Sequence, residues 1–165
     1  MIINENILKR VNGVKLIYSP TDRYCFYDVF VPQLKENKEY TFSFNIKQTV
    51  GSGKFTLGIY NKPHSKSAGR YVYNAGGRVS LVFTYRAGVS EKLLIYSDIA
   101  GQTNESRAEI KNIKLEEGKQ MSEYIPHKED VKADNQAIFP IGGGITKSSL
   151  YRGYKGVSLW GLTLI

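Results

Sequence analysis

The chain holds a single cysteine, Cys25, among its 165 residues. One thiol cannot close an intramolecular disulfide, and no cysteine cluster is available for zinc or iron–sulfur. Cys25 reads as a small apolar residue inside a strand. Histidine is scarce as well: His64 and His127 stand far apart, with no metal-ligand spacing such as His-x-x-x-His. No apolar run is long enough to cross a bilayer, and no stretch has the form of a signal peptide. The expectation is a protein made in a reducing cytoplasm, with no cofactor and no membrane insertion. Action outside the cell would then follow lysis or assembly into a particle.

Catalytic patterns are missing too. No serine sits in Gly-x-Ser-x-Gly, and Gly142-Gly143-Gly144 lacks the Lys-Ser/Thr that follows in a phosphate loop. Acid/base chemistry needs two carboxylates, or a carboxylate and a histidine, facing one cleft. The acids concentrate at Glu116, Glu117, Glu123, Glu129 and Asp130, which read as an exposed turn and linker. No catalytic residue and no enzyme activity are expected. Acids are entirely absent between Tyr40 and Ser90, where Lys47, Lys54, Lys62, Lys66, Arg70, Arg78 and Arg86 fall. The whole chain carries +8. A field of one sign favours an anionic partner; the same charges also serve solubility.

Helical spacing of apolar residues extends nowhere beyond a turn or two, whereas strand signals recur. Twelve tyrosines and 16 glycines suit pleated strands and tight turns. Tyr40, Phe42, Phe44 and Ile46 alternate with Thr41, Ser43, Asn45 and Lys47, which predicts a strand with one core face and one wet face. Phe55, Leu57 and Ile59, and then Val79, Leu81 and Phe83, repeat the period. Further strands are expected at Val14 to Tyr18, Tyr24 to Val31, Arg70 to Asn74, Lys92 to Asp98 and Arg107 to Leu115. Asn61 to Gly69 reads as a polar loop. The phase slip between Ile110 and Ile113 predicts a β-bulge. The fold class is all-β: an antiparallel β-sandwich of jelly-roll form over residues 1–130, with a C-terminal extension over 131–165. The extension has apolar residues but too little chain to bury them. Phe139, Val157, Leu159, Trp160 and Leu162 are therefore assigned to attachment or oligomerisation, with Gly142 to Gly144 as a hinge.

The run Ile110-Lys111-Asn112-Ile113-Lys114-Leu115-Glu116-Glu117-Gly118, followed by Ser122-Glu123-Tyr124-Ile125-Pro126, resembles the closing strand of carbohydrate-binding-like jelly rolls in bacteriophage tail and fibre proteins. Those domains end in a phrase of the form "iKlEeG…T.y.P", with threonine where this chain has Ser122. Asn6-Ile7-Leu8 and Glu39 to Lys47 resemble their opening and "Y.fSf..k" strands. The resemblance covers about Ile3 to Asp130 and carries scaffold positions. It implies a virion protein of the tail, baseplate or fibre, with other virion proteins and copies of itself as partners and host cell-wall glycan as a ligand. A structural virion subunit without ligand shares the same scaffold, and a nucleic-acid-binding β-protein is a third reading. Sugars stack on exposed aromatics beside planar polar groups, so Tyr60, Arg70, Tyr71, Tyr73 and Arg78 are the candidate ligand-binding residues. Taken singly, most of these tyrosines fit half-buried edge packing, and it is the five residues as a group that suggest a ligand.

Overall fold

The computed structural model describes residues 4–19, 26–99, 101 and 104–131. Eight strands follow one another: β1 (Lys15–Ser19), β2 (Phe26–Phe30), β3 (Glu39–Val50), β4 (Lys54–Tyr60), β5 (Ser67–Asn74), β6 (Gly76–Thr84), β7 (Lys92–Tyr96) and β8 (Ser106–Glu117). They form two four-stranded sheets, ordered β1-β8-β3-β6 and β2-β7-β4-β5. Every pairing is antiparallel. This is the strand order of a jelly roll. The sole helical element among the described residues is a 3-10 turn at Lys128–Asp130. The sandwich lies in a unit spanning Met1–His127, and Lys128–Ile165 form a second unit. Cys25, the glycine hinge and the attachment residues Phe139, Val157, Leu159, Trp160 and Leu162 lie outside the described residues.

Period-two alternation places the core. Tyr40, Phe42, Phe44 and Ile46 on β3, Phe55, Leu57 and Ile59 on β4, and Leu81 and Phe83 on β6 are buried; Val79 is half-buried and packs against them. The layers are joined ring to ring. Phe42 and Phe44 lie 5.3 Å apart by centroid, and Phe44 meets Phe55 of the opposite sheet edge-on at 5.5 Å. Each such ring contributes about 1.5–3 kcal/mol by leaving water. The expected bulge is present. Between Ser43↔Lys114 and Asn45↔Lys111, β8 carries one more residue than β3. Asn112 takes up the extra length at φ 56°, a left-handed conformation that asparagine tolerates.

Three expectations are corrected. β5 begins at Ser67, so the polar loop is shorter than Asn61 to Gly69. Asn61 closes that loop, accepting from the Lys66 N–H at 2.9 Å and donating to Ser65 Oγ at 2.9 Å. The outer face of β3 is not uniformly wet: Thr41 and Ser43 are buried. Segment 118–125 crosses over them, and Thr41 Oγ1 donates to the Gly118 carbonyl at 2.6 Å. Glu116 is not an exposed turn residue: it is buried, and so is Lys114.

Candidate functional site

On β8 the inward set ends in Ile113 and Leu115, so Lys114 and Glu116 point out of the sandwich, opposite Ser43 and Thr41. Both charged side chains are fully covered, and their Nζ–Oε2 separation is 3.3 Å. Ser122 completes the arrangement. Its N–H and hydroxyl donate to the two Glu116 oxygens at 2.9 and 2.5 Å. Lys114 Nζ donates to Ser122 Oγ at 2.6 Å and to the Glu123 carbonyl at 2.7 Å. Burial pushes the Glu116 carboxyl up, but the Ser122 hydrogen bonds and the Lys114 charge outweigh it and hold the group below its ordinary value. The Lys-Leu-Glu…Ser phrase therefore encodes a clamp that ties the closing segment to the sheet. Serine in place of threonine keeps the one group the clamp needs, a hydroxyl.

Arg78 belongs to this same outer surface. It stands on β6 opposite Asn45. Its Nη1 donates to Asn45 Oδ1 at 3.1 Å, its Nη2 to Ser43 Oγ at 2.9 Å, and its Nε lies 3.1 Å from Met121 Sδ. Burial lowers its pKa, with Glu116 and Tyr124 opposing that effect. Its two Nη donors are committed to β3 and its Nε meets the closing segment at Met121, away from the other candidate residues.

The second sheet carries the remaining candidates on two different sides. Leu57 and Ile59 point inward, so Gly58 and Tyr60 point out; the cross-strand register Leu94, Gly58, Arg70 continues that outer row. The Tyr60 ring occupies the space that a side chain at position 58 would take, with Cδ2 3.3 Å from an added Cβ. Arg70 reaches the Tyr60 hydroxyl through Nη2 at 2.9 Å and Nε at 3.3 Å. The His64 ring lies 5.6 Å from that of Tyr60. The adjacent strands add Asp28, paired with Lys92 at 2.8 Å, and Phe30, whose exposed ring lies 4.9 Å from Lys92 Nζ. Aromatic, cationic and anionic groups thus share the outer side of this sheet, where Phe30 and Arg70 are exposed, Tyr60 is half-buried, and Thr56 and Leu94 are buried.

Tyr71 and Tyr73 face the other way. Tyr73 pairs with Phe55 and stacks on it at 5.2 Å and 17°. Burial, then the neighbouring Tyr71, pushes its phenol up. Tyr71 shares the side of Leu57 and stands at the open edge of the sandwich, beside Val82 and Phe83 of β6. The structure therefore brings Tyr60 and Arg70 together and separates Tyr71, Tyr73 and Arg78 from them. The acid-free stretch divides likewise: Arg70 lies on one sheet, Lys47 and Arg78 on the other, and Lys62 and Lys66 in the β4–β5 loop. Asp28, Phe30 and Lys92 were not among the sequence candidates. An acid inside the aromatic run of β2 and a lysine opening an aliphatic β7 are the signals that mark them. Among the described residues, no three His, Cys, Asp or Glu side chains converge on a metal-sized site.

No protein-family model matches the chain, and no curated protein matches it. Solved structures do resemble it. The tripod (BppUct-A-L) from the baseplate of bacteriophage Tuc2009 is 15% identical over 78% of this chain and 60% of that one, with a TM-score of 0.49. The glycosylation-associated Gap123 complex of Streptococcus agalactiae is 19% identical over 76% of this chain and 47% of that one, with a TM-score of 0.35. A pilus-forming Bacillus endospore appendage protein is 14% identical over 72% of this chain and 98% of that one, with a TM-score of 0.30. The chain spans less than two thirds of the first two. At these identities and scores the likenesses carry nothing about function.

Proposed function

We propose that this chain is a bacteriophage virion accessory of the tail, baseplate or fibre, with a carbohydrate-binding-like jelly roll that meets host-surface glycan. The observation that carries the reading is the Tyr60–Arg70 pair on the solvent-facing side of β4 and β5. A tyrosine ring stacks on the apolar face of a pyranose, and a guanidinium beside it donates to sugar hydroxyls or phosphate. Phe30, Lys92 and Asp28 extend the same surface. The virion setting rests on the resemblance of the closing phrase Ile110 to Pro126. Residues 131–165 would attach the module to its particle through Phe139, Val157, Leu159, Trp160 and Leu162.

The test is titration of the full chain on an array of bacterial cell-wall polysaccharides at low and moderate salt. Tyr60→Ala and Arg70→Ala should each weaken binding about tenfold, equivalent to about 1.4 kcal/mol, and leave the melting temperature nearly unchanged. Affinity for a phosphate-bearing glycan should fall as salt rises. Absence of binding to every polysaccharide at low salt would discard the ligand and leave the structural virion subunit.

A further inference from the structure

β1 is the terminal strand of its sheet: it pairs with β8 on one side, and no described strand lies on the other. Ile17 enters the core, so its neighbours face out. Those neighbours are apolar. Val14, Leu16 and Tyr18 are 56%, 77% and 49% exposed. Edge strands of monomeric proteins are ordinarily blunted by lysine, proline or a bulge on the open face, because an unpaired edge is a template for another chain. Here the open face carries three apolar residues in a row, beside a shallow groove formed with Thr49, Arg107 and Glu109.

We propose that this edge is a self-association seam, in which the β1 strands of two copies pair antiparallel about Leu16. The inference is independent of glycan binding. The occupant follows from the pattern of the strand itself. Centred on Leu16, the pairing sets Leu16 against Leu16 of the second copy, and Val14 against Tyr18 in both directions. Every exposed apolar residue meets another. On the opposite face Lys15 meets Ile17 of the second copy, so no lysine opposes a lysine. Centring on Ile17 instead would leave Val14 opposite no residue of β1, which ends at Ser19. The flanking strand alternates in sign, with Glu109 beside Leu16 and Arg107 beside Tyr18, and Arg107 already lies 5.1 Å from the Tyr18 ring. The pairing is isologous and closes on itself, giving one continuous eight-stranded sheet from the two four-stranded ones. A seam this short buries less than a standard interface of about 1,200–2,000 Å². Self-association is therefore weak in isolation, and repulsion between two chains of +8 each makes it stronger at higher salt.

The experiment is sedimentation velocity on the full chain from about 5 to about 500 µM, spanning the affinities such a seam supports, in low and moderate salt. The wild type should pass from monomer to dimer, at lower concentration when salt is raised. Leu16→Lys, a change at an exposed position, should keep the wild-type melting temperature and weaken the dimer at least tenfold. In a Cys25→Ser background, Leu16→Cys should form a disulfide-linked dimer under mild oxidant. Directly opposed antiparallel residues bring Cα atoms to about 4.5–5.5 Å, within the disulfide range of about 4.4–6.8 Å. A wild type that stays monomeric throughout overturns the proposal. So does a dimer that survives Leu16→Lys, or one that Leu16→Cys fails to cross-link.

Discussion

Removing one partner of the Lys114–Glu116 clamp should cost far more than the loss of a surface ion pair. Both side chains are fully covered and make four further hydrogen bonds to Ser122 and Glu123. In Glu116→Leu, Lys114 stays buried without its counter-charge, and the Ser122 N–H loses its acceptor. Breaking a buried pair from one side typically costs about 3–5 kcal/mol, a large fraction of the 5–15 kcal/mol or so that holds a domain together. Lys114→Met should cost a similar amount, because it strands the Glu116 carboxylate. The double variant Lys114→Met/Glu116→Leu leaves no buried charge, so it should lose about as much as one single variant and far less than their sum. Urea unfolding read by fluorescence gives the three values, and an unchanged denaturant slope would show that the folded state is otherwise intact. Amide hydrogen exchange should show segment 118–125 losing protection in each single variant. The reasoning fails if either single variant costs less than about 1 kcal/mol, the range of exposed ion pairs, or if the two losses simply add.

The same clamp sets an acid dependence. The Glu116 carboxyl is held below its ordinary value in the folded chain, so its contribution is complete above the ordinary carboxylate pKa and is lost as pH falls through the lower folded value; acid titration of stability should be steeper for the wild type than for Glu116→Gln. Gly51→Ala should destabilise by at least about 1–3 kcal/mol, because Gly51 sits at φ +126° and an added Cβ would lie 2.8 Å from Asp98 Oδ2 and 2.9 Å from Ser106 Oγ; thermal melting reads this directly, and an unchanged melting temperature would contradict it. Gly58→Ala should displace the Tyr60 ring from the surface of β4 and weaken glycan binding, and combining it with Tyr60→Ala should add nothing further in the same polysaccharide titration.

Much of the scaffold could be read residue by residue. The alternation of Tyr40 to Lys47 placed β3 and its inward face, and the slip between Ile110 and Ile113 placed the bulge that Asn112 absorbs. Such features are local: the side-chain period of a strand is two, and a change of phase is visible in the string itself. The candidate site was legible only in part. Tyr60 and Arg70 are ten positions apart, and the β4–β5 register brings them together. Alternation along β5 also sorts its tyrosines from Arg70, but the side to which each belongs depends on the pairing of Phe55 with Tyr73.

Glu116 shows where local reading stops. Among acids in a polar closing run it has the composition of a surface residue, and its phase on β8 points it away from the core. Whether an outward position is wet depends on what crosses over it, here segment 118–125 returning to Thr41, Lys114 and Glu116. Likewise Arg78, one of seven cations in an acid-free stretch, is bonded across to Asn45 and Ser43 of β3 on one sheet and meets Met121 of that segment, whereas Arg70 faces solvent on the other. Strand identity, core phase and the bulge are properties of short stretches of chain and follow from side-chain periodicity. Burial of a charge, and membership of one surface or another, are set by contacts between residues far apart in the chain, which exist only once the two sheets and the closing segment have come together.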